Sequence, residues 1–555
     1  MSLRANGFTE IPAETSRVAR AAFPNRCLAM RARDALGPLF TDEQFTELFA
    51  ARGRPAWSPA RLALVLVLQF VEGLTDRQAA DAVRARLDWK YALGLDLCDP
   101  GFDASVLTEF RARLLGDGQA ERLLTLMLAR LRERGLLRGG GRQRTDATHV
   151  YMAVRDLHRL EQVIETLRAA LEALAVVAPS WLGGLIPPEW TRRYGQRGDD
   201  WRLPKAEQAR TERAIEVGRD GFVLLEAVYG PDAPAGLADL EAVQVLRATW
   251  IQQFYRDGDG RQVRWRDKQT GLPLGKLLIL NPYDLDARPG VKRGRTWRGY
   301  KAHFTETCEP DRPHLITHVA TTDAATADLD TVQGRHADLA DRDLLPDVHL
   351  VDSGYVSVGQ VLAAADDHGV ALTGPLPPDT SWQAGDEQAF DLTRFRIDYD
   401  AHHVVCPNGK VSRNWQPARS RDGLPIIRAT FRQPDCRPCP DRSRCTRSED
   451  NARHVTFLPR RQQEAQRRIR AEQATDGWRR RYALRCGVEG LISQACRRCD
   501  LHQARYRGLA KTHLQHVLTA LALNVVRVDA WLTGVTTTGG WTSRLARLAQ
   551  PLPAA

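Results

Sequence analysis

The sequence predicts a mixed α/β protein, in which a helical N-terminal domain precedes a strand-and-helix core interrupted by a helical and a β-rich insertion. Three observations lead there. Residues 42–137 keep a helical apolar period. Strand-like runs then recur at Thr145–Val154, Lys276–Leu280, Tyr300–Thr305, Leu315–Thr321 and Val348–Val351, with a helix around Thr331–Ala340. Residues 375–459 are proline-rich with short alternating runs, which suits a small β module. At 555 residues the chain exceeds one ordinary domain, and 43% hydrophobic with 26% charged residues exclude disorder over most of its length.

Each element has a local reason. Ser58-Pro59 sets an N-cap before proline at the first helical position, opening a helix to Glu72 that Gly73 ends. Thr75 caps a second helix over Asp76–Leu87, with Ala79, Ala80 and Val83 as its apolar stripe. Two short helices joined at a glycine are the pattern of a helix-turn-helix, and equally of any αα-hairpin. Another helix spans Ser105–Leu115, and the glycine-rich basic stretch Arg138–Arg144 reads as a boundary. A long helix follows with Leu157, Leu160, Ile164, Leu167, Leu171 and Leu174 on one face until Pro179. Residues 180–275 stay mainly helical and carry Trp181, Trp190, Trp201 and Trp250. Helices over 460–498 and 512–531 close the pattern. The expected division is a helical DNA-binding domain (1–140), a core (141–153, 276–378 and 459–535), a helical insertion (154–275) and a β-rich, cysteine-containing insertion (379–458).

Charge points to an anionic partner, of which nucleic acid is the commonest: 79 basic against 68 acidic residues give +11, and only eight of the basic residues are lysine. Arginine grips phosphates bidentately, although a GC-rich genome gives the same bias. The longest apolar run, Leu62–Leu68, is far short of the roughly 20 residues a membrane span needs. Met1–Glu10 lacks the apolar region of a signal peptide, so a cytoplasmic protein is expected.

Two carboxylates stand at apolar strands in polar turns: Asp146 in Arg144-Thr-Asp-Ala-Thr-His149, and Asp352 in His349-Leu-Val-Asp-Ser-Gly-Tyr355. Most such aspartates merely start a turn. A third acid, Glu489, shares a helix face with Tyr482 and Arg485 by its spacing, among apolar Ala483, Leu484, Val488 and Leu491. A solvated Arg–Glu pair has the same spacing, but a polar stripe on an inward-packing helix asks for a metal or phosphate partner. Three carboxylates on two strands and a helix suit two Mg²⁺ (or Mn²⁺) ions about 3.5–4 Å apart, the arrangement that clamps both oxygens of a phosphoryl transfer.

Among the ten cysteines, Cys406, Cys436, Cys439 and Cys445 fall in the β-rich insertion, and Cys436-x2-Cys439 has the knuckle spacing of a tetrahedral Zn²⁺ site. The alternative is four free thiols. Basic residues interleave with aromatics at Lys292, Arg293, Trp297, Arg298, Tyr300 and Lys301, and again at Arg505-Tyr506-Arg507 before Lys511. Such stretches suit phosphate contacts and base stacking, and equally a solvated face.

The Tyr482-x2-Arg485-x3-Glu489 signature resembles the third-acid helix of bacterial DDE insertion-sequence transposases, which have a ribonuclease-H-like fold. Further stretches resemble the insertion-sequence family numbered eleven eighty-two. They are Gly101–Leu107, Thr145–Val150 with Val154–Leu157, Pro282–Arg288, Trp297–His303, Leu350–Tyr355 and Arg505–Lys511. The resemblance implies a ribonuclease-H-like core with Asp146, Asp352 and Glu489 as the DDE triad. It implies metal-dependent cleavage at transposon ends and strand transfer into target DNA, with a homodimer in the synaptic complex. Tyr482, Arg485 and Arg497 join the basic residues above as implied DNA contacts. Two positions depart from the pattern: Ala147 follows the first acid where serine is expected, and Cys496 stands where a lysine is expected, with Arg497 beside it. Asp284 and Asp286 rival Asp146 as first acid. A DNA-binding protein derived from a transposase, and a nuclease that only hydrolyses, are the competing readings.

Overall fold

The computed structural model describes residues 2–3, 10–116, 118–198, 203–260, 262–267, 269–292, 294–420 and 423–535. Trp201 and Arg293 lie outside the described residues. The chain divides into two compact units, the first comprising Met1–Arg138, Asp146–Ala327 and Val488–Ala555, and the second Gly139–Thr145 with Asp328–Gly487. Both the sheet pairings and the helix content make the protein mixed α/β.

In the first unit the N-terminal helices follow their capping residues. Ser58 accepts from the Arg61 amide at the start of the Pro59–Glu72 helix, and Gly73 ends it in the left-handed region at φ 69°. Thr75 and Gln78 form a capping box on the Asp76–Ala85 helix, which ends two residues earlier than expected, before a further short helix over Leu87–Leu93. Three antiparallel strands, Arg288–Lys292, Arg295–Thr307 and Ile316–Asp323, supply the strand layer. The helical insertion packs Arg159–Val177, Glu207–Val228 and Glu241–Gln253 around Leu167, Leu174, Val217, Leu246 and Trp250. It also contains an unexpected two-stranded ribbon, Phe254–Arg256 with Val263–Trp265. The expected strand at Lys276–Leu280 is instead a 3-10 turn over Gly275–Leu277. Leu277 there stays exposed and of the run only Leu280 is buried, so the alternating burial of a paired strand is missing.

Strand formation at Arg142–Tyr151 begins inside the stretch read as a boundary. Its first residues belong to the second unit, where Arg142, Gln143 and Arg144 pair in parallel with Val348, His349 and Leu350. Val348–Leu350 pairs in parallel with Ala371–Thr373, and the Val358–His368 helix forms the crossover between them. The proline-rich region carries short antiparallel strands, paired as Arg396–Asp398 with His403–Val405, and Gln416–Arg419 with Pro425–Thr430 and His454–Phe457. The long helix expected over 460–498 is broken into Arg460–Gln473, Asp476–Ala483, a 3-10 turn Leu484–Cys486, and Gly487–Cys499. The first break is made by Thr475, whose hydroxyl accepts from the Trp478 amide and starts a new helix.

Candidate active site

Asp352 follows the Val348–Leu350 strand and caps a 3-10 turn. One carboxylate oxygen accepts from the Gly354 amide at 2.8 Å. The other lies 3.8 Å from the Arg485 guanidinium, in an ion pair with side chains 26% and 13% exposed. Arg485 sits in the turn between the Asp476–Ala483 and Gly487–Cys499 helices, and Tyr482, one turn earlier, stacks on Trp478 at 4.6 Å between ring centres.

Arg144, which sequence reasoning did not single out, reaches the same turn. Its buried guanidinium donates to the Leu484 carbonyl at 2.6 Å, filling one of the acceptors a helix end leaves open. Gly487 makes room for it: a Cβ there would come within 2.0 Å of Arg144 Nη1. No sequence signal marked this arginine, because it lies in a run of basic residues that reads as a linker.

In the first unit Asp146 is buried on the strand, 8% exposed, with one carboxylate oxygen accepting from the Ala147 amide. Glu489 is exposed in the first turn of its helix, where the helix dipole favours a negative charge. The rival acids have other work. Asp284 is buried and accepts from the Tyr300 hydroxyl, and burial holds its carboxyl above the usual range. Asp286 accepts from the Leu509 amide at 2.8 Å, at the start of the Leu509–Leu532 helix.

The basic residues divide by exposure. Lys292, Arg497, Arg507 and Lys511 are exposed to solvent. Arg298 pairs with Asp156, Lys301 donates to the Thr326 carbonyl at 2.5 Å, and Arg505 lies over the Phe70 ring. Trp297 is buried against Gly290, its indole N–H donating to the Tyr300 carbonyl, so its ring packs the hairpin instead of facing solvent.

All four cysteines of the β module line one cavity of about 380 Å³, with Lys410, Arg442 and Arg453 in the same wall. Burial, reinforced by the other three cysteines, pushes the Cys445 thiol up to about 11. The Asn408 side-chain amide approaches Cys439 Sγ at 3.2 Å, and the Lys410 backbone N–H donates to Cys406 Sγ at 3.3 Å. These contacts are of the kind that steady thiolates around a metal. Among the described residues, no group of three or more His, Cys, Asp or Glu is drawn tightly enough to hold a metal ion. The donor chemistry nonetheless fits: carboxylate oxygens suit a hard divalent cation, and four sulfurs suit zinc.

The second unit thus brings an acid that follows a strand, Asp352, against an arginine, Arg485, at a helix break that also carries Tyr482. Residues 405–528 match the family described as "Transposase DDE domain", and residues 20–113 match "Transposase domain (DUF772)". No curated protein matches the chain. With two transposase domains in one chain, the protein is an insertion-sequence DDE transposase, an enzyme acting on DNA, and its DDE domain implies dependence on a divalent metal. The DDE match spans Tyr482, Arg485, Glu489 and the four cysteines, while Asp146 and Asp352 fall before it. Among the described residues, no helix is long and apolar enough to cross a membrane.

Proposed function

We propose that this transposase cleaves the ends of its own element and joins them to target DNA, with Asp146, Asp352 and Glu489 as the acids that hold Mg²⁺ or Mn²⁺. The observation that carries this reading is the pair of transposase matches, of which the DDE match includes Glu489 together with Tyr482 and Arg485. When bound, the divalent cation supplies the charge that activates the attacking oxygen and neutralises the scissile phosphate. The chain's own part is to place DNA and exclude alternatives. Water attacks the phosphodiester at the element's end, and the broken P–O bond leaves a free 3′-hydroxyl. That hydroxyl then attacks a phosphodiester of target DNA, releasing a target 3′-hydroxyl, so the number of phosphodiesters is conserved in the second step. Exposed Lys292, Arg497, Arg507 and Lys511 are suited to backbone phosphates, which position DNA without reading its sequence.

The ribonuclease-H-like arrangement of the core, membership of the family numbered eleven eighty-two, a homodimer holding two ends together and residence at the bacterial nucleoid are parts of the same proposal. So is a structural Zn²⁺ on Cys406, Cys436, Cys439 and Cys445, which their convergence on one cavity supports. The test is nicking of a duplex carrying the element's terminal inverted repeat, with Mg²⁺ or Mn²⁺ added. Asp146→Asn, Asp352→Asn and Glu489→Gln are each expected to abolish nicking, while the parent also gives strand-transfer products into a plasmid. Parental nicking by the three variants would remove the triad. End binding without cleavage would identify a DNA-binding derivative, and cleavage without transfer a nuclease.

A further inference from the structure

We propose that Arg144 is a positioning residue for this reaction, holding the helix break at Leu484–Cys486 so that Arg485 stays against Asp352. The proposal rests on Asp352 being one of the three acids. All the residues it uses, namely Arg144, Asp352, Leu484, Arg485 and Gly487, lie in the second compact unit.

The geometry attaches Arg144 by both its backbone and its side chain. Its backbone is fixed to the Asp352 strand by the parallel pairing with Leu350, which is almost fully buried. Its side chain ends on the Leu484 carbonyl, at the end of the helix that carries Tyr482. One residue after Leu484 comes Arg485, whose guanidinium faces Asp352. Arg144 is therefore a strut between the strand leading to Asp352 and the turn that presents Arg485 to it. A charge-assisted hydrogen bond from a buried guanidinium is a stiff link of this kind.

Gly487 is the counterpart of the strut. The guanidinium lies over its α-carbon so closely that a methyl group would sit 2.0 to 2.5 Å from three of its atoms. Real Cβ contacts do not reach such distances, so Gly487→Ala must displace Arg144 from the Leu484 carbonyl. Arg144 is 6% exposed, which leaves its end little space to move into. The glycine thus serves a close approach, not a turn, and Gly487 is placed where the 3-10 turn passes into the helix that bears Glu489.

The full-length protein is compared with Arg144→Met, Arg485→Met, the double variant and Gly487→Ala on the same terminal-repeat duplex. Nicking rate, its dependence on Mn²⁺ concentration, end-DNA affinity and melting temperature are read for each. Arg144→Met is expected to bind end DNA as the parent does, to nick about ten- to a hundred-fold more slowly, and to need more Mn²⁺. The double variant should nick no more slowly than Arg485→Met alone, because both changes act through one contact. Losses that multiply in the double variant, or parental nicking by Arg144→Met, overturn the proposal. Should Arg144→Met fail to fold, Gly487→Ala carries the test: it is expected to reproduce the slow, Mn²⁺-hungry nicking, and parental nicking by the folded protein overturns the strut. Asp352→Asn separates the two ideas. If it nicks normally, the underlying triad reading falls; if it is inactive while the arginine losses multiply, only the strut falls.

Discussion

Asp286 and Asp146 make opposite predictions, and the pair tests which acid serves chemistry. Asp286 accepts from the Leu509 amide at 2.8 Å, so Asp286→Ala strips an acceptor and a negative charge from the N-terminus of the Leu509–Leu532 helix. Loss of such a cap costs about 0.5–2 kcal/mol. The Asp286 side chain is exposed, where water replaces part of the lost bond, which puts the expected cost near the lower half of that range, about 1 kcal/mol. That lowers the melting temperature by about 2–4 °C or less in a unit this large. Nicking of terminal-repeat DNA should stay within about two-fold of the parent, the scale of a change away from the chemistry. Asp146→Asn should do the reverse. The amide keeps an oxygen to accept from Ala147, so melting stays put, while loss of a carboxylate ligand slows nicking at least about a hundred-fold. Calorimetry and a gel-based nicking assay on the same preparations read both. An Asp286→Ala protein that melts normally but does not nick, beside an Asp146→Asn protein that nicks at the parental rate, would refute the assignment and hand the first position to the loop acid.

Other outcomes follow from the same structure. Cys436→Ser and Cys439→Ser should each lower the metal that mass spectrometry finds from about one zinc per chain, and chelation should lower parental melting in the same direction. Lys292→Ala, Arg497→Ala, Arg507→Ala and Lys511→Ala should each reduce the slope of log end-DNA affinity against log salt by about 1 if each neutralises a phosphate. Burial raises the Asp284 carboxyl above its unfolded value, so its favourable contribution is complete below the ordinary carboxylate range and is lost as pH rises through the raised value. Asp284→Asn keeps an acceptor for Tyr300, and its stability relative to the parent should therefore grow with pH across that window in urea titrations. Gly221→Ala drives a methyl to within 2.2 Å of the buried Trp250 ring and should cost about 1–3 kcal/mol by overpacking, with nicking at permissive temperature unaffected.

The readable parts of the sequence were those in which local chemistry and final structure agree. Ser58, Gly73 and Thr75 announced helix ends because caps act through backbone groups a few residues away. The apolar run before Asp352 and the alternation at Thr145–Val154 announced strands for the same local reason. Lys276–Leu280 misled because its leucines match a strand pattern, yet among the described residues it joins no strand ladder and Leu277 stays exposed. The breaks between 460 and 499 were hidden, since helix-favouring arginine, glutamine, glutamate and alanine dominate the stretch, and Thr475, Gly477, Gly487 and Gly490 do not by themselves mark which one ends a helix. At the candidate site, the acids and the tyrosine–arginine signature were legible as motifs. Arg144 was not, because its role depends on a carbonyl some 340 positions away in the chain. The cysteine knuckle was legible from spacing, whereas the convergence of Cys406 and Cys445 on one cavity needed the fold of the whole β module.

The Leu509–Leu532 helix sets the order in which the protein becomes whole during synthesis. It is buried along most of its length and packs on the Leu28–Leu36, Pro59–Glu72 and Gln119–Glu133 helices, all of which leave the ribosome far earlier. Arg31 grips Asp529 through two hydrogen bonds across 498 positions of chain. Until that helix emerges, the faces of those helices that it covers have no cover from it, a condition that favours association between nascent chains. A chain cut short upstream of residue 509 is therefore expected to lose the packing that covers the N-terminal helices, with lower solubility as the readout.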